Sequence, residues 1–266
     1  MRSITGIAYA GTIITCLIMG HLSSSILFFI IMVAALWEFY TVVKKNNTSP
    51  QVVLGILTAA SIFFSFYLFH ENTKLFNFFL NCSLLLTLAI FCVELFRKKE
   101  PNFNNIALTL VGLIYIALPI SLTNVLNLNT INEYDYFLLL SVFILIWLSD
   151  TGGYIIGSRF GKRKLLENIS PKKSWEGAYG SVLFSIIGAI ILSLTFKQLN
   201  TIEWLVLAII VCIASLIGDL VESYLKRSLS IKDSGRILPG HGGILDRIDS
   251  ALFVIPTVYI YLNFIR

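Results

Sequence analysis

Apolar runs of about 20 residues recur along the chain, each long enough to cross the hydrocarbon of a bilayer as a helix. The runs are continuous and do not alternate polar with apolar, which argues against a transmembrane β-barrel. Of 266 residues, 56% are hydrophobic and 13% charged, and the mean hydropathy is +0.82. A soluble domain carries about 25% charged residues. The composition therefore excludes a soluble globular enzyme, a disordered chain and a disulfide scaffold. The expected fold class is all-α, a polytopic membrane protein.

Nine spans are expected, near 4–20, 24–43, 51–69, 75–96, 105–127, 135–157, 176–196, 202–224 and 248–265. The first begins after a thin Met1-Arg2 start with no convincing small-residue cleavage site, so it reads as a retained helix. A net charge of +5 in a soluble protein would suggest nucleic acid. Here the cations lie between apolar runs and set topology instead. With the N-terminus inside, 17 of the 20 Lys and Arg residues fall on inside segments, leaving Lys74, Lys197 and Arg266 outside. The expected orientation is N-in, C-out. Cys16, Cys82, Cys92 and Cys212 all sit within apolar runs with no C-x-x-C pair, so they read as packing residues. Trp37, Tyr40, Trp175 and Trp204 fall near span ends, where interfacial aromatics sit. Residues 1–130 (spans 1–5) read as a region for packing, lipid and dimer contacts. There, Glu38 and Glu94 lie near cytoplasmic ends, within reach of the interface or of nearby lysines.

Residues 131–266 (spans 6–9) differ, because their polar residues collect at one membrane face, with cytoplasmic loops at 158–175 and 226–247. One segment runs from Ser149-Asp150-Thr151-Gly152-Gly153-Tyr154 to Ser170-Pro171-Lys172-Lys173-Ser174-Trp175-Glu176-Gly177. A carboxylate such as Asp150 at bilayer depth costs about 2.5–3.5 kcal/mol and calls for a cation or Lys partner. Gly152 and Gly153 admit a close backbone or ligand. Lys172 and Lys173 precede a helix start, where free N–H groups and ammonium groups together suit an anion. Taken alone, this segment reads equally well as a positive-inside loop.

The second segment is more specific. It reads Gly218-Asp219-Leu220-Val221-Glu222-Ser223-Tyr224-Leu225-Lys226-Arg227, then Lys232-Asp233-Ser234-Gly235, then Leu238-Pro239-Gly240-His241-Gly242-Gly243 and Asp246-Arg247-Ile248-Asp249. On a continuing helix, Asp219, Ser223 and Lys226 share one face, with Glu222 at its edge. Asp246 and Asp249, three apart at a helix start, point the same way. Carboxylates from two helices, with no thiolate and one histidine, suit Mg²⁺ rather than Zn²⁺. The intervening glycine loop offers backbone amides to an anion, flanked by Lys226, Arg227, Lys232, Arg236 and Arg247. Together these features describe a metal–polyphosphate site, yet no G-x-x-x-x-G-K-[ST] string makes it a P-loop. His241 reads as a phosphate contact or loop-ordering group. Asp233 is either a ligand or a turn residue. Asp249 is either a metal ligand or the N-terminal charge of the last helix.

The run Ser223 to Asp249, SYLKRSLSIKDSGRILPGHGGILDRID, resembles the signature of the phosphatidate cytidylyltransferases, also called CDP-diacylglycerol synthases. The string SDTGGYIIGSRFGKRKLLENISPKKSWEG resembles a second block of that family, with Gly153 in place of an expected Ala and Ser174 in place of Thr. The specific match covers about 150–177 and 215–250; the first half matches only as a generic multi-span region. The resemblance implies transfer of a cytidylyl group from CTP to phosphatidate, giving CDP-diacylglycerol and pyrophosphate. It also implies Mg²⁺ dependence and a homodimer, with Asp219 and Asp246 as metal-binding carboxylates. The lipid phosphate is already an anionic nucleophile, so positioning and charge neutralisation are the expected means of catalysis. Asp219, Asp246, Lys173 and Lys226 are the expected catalytic residues, and Asp219, Asp246 and Asp249 the metal ligands, with room for a second cation. Asp150, Lys172, Ser223, Arg227, Lys232, Asp233, Gly240, His241, Gly242, Gly243 and Arg247 are the expected substrate-binding residues.

Three other functions are weaker matches. A CDP-alcohol phosphatidyltransferase would need D-G-x-x-A-R and two aspartates four apart, and neither is present. A CTP-dependent lipid kinase would share nucleotide chemistry. A transporter would carry its charges across the bilayer rather than at one face.

Overall fold

The computed structural model describes residues 2–44, 48–97, 101–128, 133–231, 234–235 and 242–265. The polytopic all-α expectation holds: seven helices are long and apolar enough to span a membrane. Two more, Arg2–Ile18 and Val52–Leu68, have 17 residues each, the lower limit of spanning length. The chain divides into two compact units, Met1–Tyr136 with Ile231–Arg247, and Phe137–Ser230 with Ile248–Arg266.

The first unit holds α1 (Arg2–Ile18), α2 (His21–Val43), α3 (Val52–Leu68), α4 (Thr73–Leu95) and α5 (Phe103–Leu126). The middle of α5 is a π-helical turn, Leu113–Ala117. Asn72 and Asn102 start α4 and α5 by accepting backbone N–H groups with their side chains, each satisfying donors the first turn leaves free. Tyr40 is wholly buried, not an interfacial aromatic as its position near a span end suggests. Its hydroxyl donates to the Thr109 carbonyl at 2.9 Å. Gly55 and Gly112 flank it so closely that a Cβ on either would stand 2.6 Å from that hydroxyl. Trp204, in the second unit, is likewise buried, whereas Trp37 and Trp175 are exposed.

Buried polar groups of the first unit gather on Glu94. It accepts from Asn105 Nδ2 at 2.7 Å, Gln51 Nε2 at 3.1 Å and the Asn102 amide at 3.2 Å. Arg97 pairs with it at 3.0 Å and also donates to Ser49. Arg97 is therefore a structural ion-pair partner as well as a topology charge. Along α4, Leu84, Leu85 and Leu88 are exposed, a continuous apolar face that suits hydrocarbon rather than water.

The second unit holds α6 (Tyr136–Phe160), a hairpin of β1 (Lys164–Leu166) and β2 (Ser170–Ser174), α7 (Trp175–Thr195) and α8 (Thr201–Ser228). The strands are antiparallel, with Lys164 opposite Ser174 and Leu166 opposite Ser170. The last helix, α9 (Leu245–Ile265), begins in the first unit and continues in the second. Asn200 and Glu203 form a reciprocal capping box that starts α8. The four cysteines are free thiols; Cys212 is buried and Cys92 is exposed.

Candidate active site

In the second unit, glycines set the distance between α6 and α7. A Cβ on Gly152 would stand 2.5 Å from the Gly180 carbonyl, and one on Gly157 would stand 3.3 Å from the Gly177 Cα. The close approach that Gly152 permits is thus made by another backbone. At Gly153, where the resemblance anticipates alanine, a Cβ would meet Ser181 Oγ at 2.5 Å. That hydroxyl donates to the Ser149 carbonyl at 2.7 Å and so ties α7 to α6.

The β-hairpin grows from the end of this pair. Ser174 caps α7 by accepting the Gly177 amide at 3.2 Å. Glu176 reaches back to accept the amides of Lys162 at 3.0 Å and Arg163 at 3.1 Å. These bonds anchor both ends of the hairpin, and the strands present Lys164, Lys172 and Lys173 to a cavity of about 600 Å³. Asp150, Ser215 and Asp219 line it from α6 and α8.

Each carboxylate has an identified neighbour. Lys173 Nζ lies 2.6 Å from Asp219 Oδ2. Ser223, one turn on, donates to Asp219 Oδ1 at 3.4 Å. Ser215 donates to Asp150 Oδ1 at 3.3 Å. Gly218 brings α8 against α9: a Cβ there would stand 2.6 Å from the Asp249 carbonyl and 3.1 Å from the Ser250 Cα. That contact sets Asp219 beside Asp249, and Asp249 lies within electrostatic range of Asp219, Asp150 and Lys226. Lys226 forms its ion pair with the buried Glu222. At the end of α8, Arg227 Nε donates to the Ile169 carbonyl at 3.4 Å, bracing the hairpin.

Asp150, Asp219 and Asp249 offer oxygen donors only, a set that fits a divalent, oxygen-seeking cation such as Mg²⁺. Among the described residues no three His, Cys, Asp or Glu side chains converge tightly enough to hold an ion unaided. An anionic substrate would bring further oxygens to a cation here, as in nucleotide-bound Mg²⁺ generally.

In the first unit, Asp246 organises the glycine turn that precedes α9. Its Oδ2 accepts the Gly243 amide at 2.7 Å and the Ser234 amide at 3.2 Å. Gly242 has φ +81° and packs against the same carboxylate, a conformation and a contact that both favour glycine. Arg247 is exposed. Lys232, Asp233, Gly240 and His241 lie outside the described residues.

Of the residues singled out in the sequence, Asp150, Lys172, Lys173, Asp219, Ser223 and Asp249 come together in the second unit. Gly242, Gly243 and Asp246 come together in the first. The sequence reading gave no site role to Lys164, Ser215, Ser174, Glu176 or Glu38. Ser174 followed three residues later by Gly177, with Glu176 in the first turn, is a helix-start pattern that could have flagged the hairpin's anchor. Glu38 accepts the Leu245 amide at 3.0 Å, a pairing 207 residues apart that no local pattern announces.

The model of the cytidylyltransferase family matches residues 1–265. The chain is 32% identical to the phosphatidate cytidylyltransferase of Bacillus subtilis (strain 168), over 98% of this chain and 96% of that one. It is 31% identical to the phosphatidate cytidylyltransferase of Staphylococcus aureus (strain COL), over 98% of each. Over 126 residues it is 48% identical to the protein of that name in Staphylococcus epidermidis (strain ATCC 12228 / FDA PCI 1200), covering 47% of this chain and 48% of the relative.

Proposed function

This chain belongs to the cytidylyltransferase family, and from that premise we propose that it is a phosphatidate cytidylyltransferase. It transfers the cytidylyl group of CTP to phosphatidate, giving CDP-diacylglycerol and pyrophosphate. A phosphate oxygen of the lipid attacks the α-phosphorus of CTP, and the bond to the β-phosphate breaks. The observation that carries this reading is the second unit's cavity, where Lys164, Lys172 and Lys173 face Asp150 and Asp219.

An ionised phosphate needs little help from a base. The residues therefore act by holding two anions together and by balancing charge as it moves onto the leaving pyrophosphate. Lys172 and Lys164, exposed on the hairpin, are assigned to the triphosphate. Lys173 and Ser223 orient Asp219 through the contacts described above. Asp219 and Asp249 are the residues that would hold Mg²⁺, and Asp246 is a third carboxylate assigned to the same task from the sequence pattern. Bound Mg²⁺ would supply neutralisation of phosphate oxygens and a template for the leaving group. The chemistry belongs on membrane helices because CTP comes from water while the lipid head group approaches with its acyl chains still in the bilayer. The multi-pass protein is assigned N-in, C-out with its site toward the cytoplasm, following the Lys and Arg bias; its place in the cell membrane and its homodimeric state are assigned from the family resemblance.

The test is incubation of the purified protein with phosphatidate vesicles and CTP labelled at the α-phosphate or at the γ-phosphate. Label should enter lipid from the α position, with pyrophosphate released in equal amount. Entry from the γ position only would identify a lipid kinase, and no entry from either would overturn the assignment.

A further inference from the structure

Glu38 belongs to the half of the chain whose sequence looked least informative, yet it lies against the most distinctive loop. It sits on α2, is 4% exposed and has no lysine or arginine ion pair among the described residues. Its partners are backbone. Oε2 accepts the Leu245 amide at 3.0 Å, and the Ile244 amide is directed at the same carboxylate. Gly235 and Gly243 press their α-carbons on it from the loop. A Cβ on Gly235 would strike Oε1, and one on Gly243 would strike Oε2 while standing 2.5 Å from Ser234 Oγ.

Two carboxylates thus share one short turn. Asp246 takes the amides of Ser234 and Gly243, and Glu38 takes those of Ile244 and Leu245. The two like charges repel, and hydrogen-bond donors between them offset that cost. The four amides are those donors. A buried carboxylate is expensive to keep unless its hydrogen bonds are made, and an apolar side chain at position 38 would leave the Ile244 and Leu245 amides without an acceptor. Leu, Ile, Val and Phe make up most of the rest of α2, so filling the space did not require an acid.

We propose that Glu38 is a positioning residue for the reaction: it pins the turn at residues 242–245 and so fixes where Asp246 is presented. This rests on the reading of residues 242–249 as part of the nucleotide and metal site. The sites of action differ in kind, since Glu38 acts only through the turn and touches neither substrate.

The full chain in lipid nanodiscs serves for the test, with Glu38→Ala, Glu38→Gln and Gly243→Ala compared with the unaltered protein. Two quantities are read: hydrogen exchange of the amides at 243–246, and the split between KM for CTP and kcat. In Glu38→Ala, exchange at those amides should rise at least about tenfold while α6 to α8 are unchanged, and KM for CTP should rise about tenfold to a hundredfold, the range for losing charge-assisted hydrogen bonds. Glu38→Gln keeps one acceptor oxygen for the Leu245 amide and should recover most of the loss. Gly243→Ala leaves Glu38 in place but drives a methyl into it, and should raise KM likewise even if Glu38→Ala fails to fold. Unchanged exchange at 243–246, an unchanged KM in both Ala variants, or no recovery in Glu38→Gln would each overturn the proposal. An unaltered protein without cytidylyl transfer would sink the functional assignment instead, and the exchange comparison would still decide the clamp.

Discussion

Gly218→Ala isolates the geometry that sets Asp219 beside Asp249. The added methyl would stand 2.6 Å from the Asp249 carbonyl oxygen, 3.1 Å from the Ser250 Cα and 3.3 Å from the Asp249 carbonyl carbon. Ordinary van der Waals contact begins near 3.4 Å, so α8 and α9 must separate by about 0.8 Å at their crossing. All three obstructing atoms are backbone, so no rotamer change relieves the clash. Overpacking of this kind costs about 1–3 kcal/mol, while alanine in place of a helical glycine returns up to about 1 kcal/mol. The net is a loss of about 0–2 kcal/mol, a range common to many substitutions, so stability alone would not single out this contact. Activity would, because displacing reacting groups by about 1 Å costs on the order of a hundredfold in rate. The assay is kcat for cytidylyl transfer in phosphatidate vesicles, beside thermal unfolding in the same detergent. Gly11→Ala is the control, since nothing lies within 4 Å of a Cβ there. A Gly218→Ala protein with kcat within about twofold of the unaltered enzyme, a difference under half a kcal/mol in barrier, would refute the argument that this crossing sets the site.

Lys173→Met should lower kcat/KM by about a hundredfold, the cost of losing one well-placed electrostatic group; the ion pair with Asp219 is partly exposed, so unfolding temperature should move little, and both are read on one preparation. Chelation by EDTA should abolish transfer and added Mg²⁺ should restore it, read as CTP consumption stimulated by phosphatidate; full turnover in EDTA would remove the metal assignment. Tyr40→Phe should destabilise the protein by about 0.5–1.5 kcal/mol through the lost bond to the Thr109 carbonyl, measured by thermal unfolding, with KM for CTP unchanged.

The helices themselves were legible because hydropathy requires only a count of apolar residues. All nine expected segments are helical, and their ends shift by a few residues where caps decide. Asn200 starts α8 and Ser174 starts α7. The last helix begins at Leu245 rather than 248, so Asp246 lies in its first turn. What hydropathy could not supply was facing. Tyr40 and Trp204 sit near span ends like interfacial aromatics, yet both point into packed interior, and that depends on neighbours such as Gly55 and Gly112 far along the chain. The hairpin escaped notice because three- and five-residue strands are too short to establish an alternating pattern. Asp219, Ser223 and Lys226 were placed on one face by helical spacing, and Ser223 does bond Asp219. Lys226 turns instead to Glu222, since a wholly buried carboxylate one turn away is the more demanding partner.

The lysines of the second unit fall into two groups by what supports them. Lys226 is carried by α8 and closes on a carboxylate of that helix, while Lys173, at the end of β2 nearest α7, closes on Asp219. The Lys226 charge is largely spent on making the buried Glu222 tolerable among apolar helices, whereas Lys173 holds the part-exposed Asp219. Lys164 and Lys172 make no ion pair among the described residues and stand exposed on the hairpin. Their ammonium groups keep their field for an incoming anion. Helix lysines buried at the same depth could not do this, because an unpaired ammonium in that environment would carry a desolvation cost of several kcal/mol. A short strand pair held at both ends by Glu176 and Ser174 solves this by lifting two cations out of the helical layer while fixing where they stand. Under the proposed reaction, the helices supply the carboxylates that a cation needs, and the hairpin supplies the positive charge that a triphosphate needs.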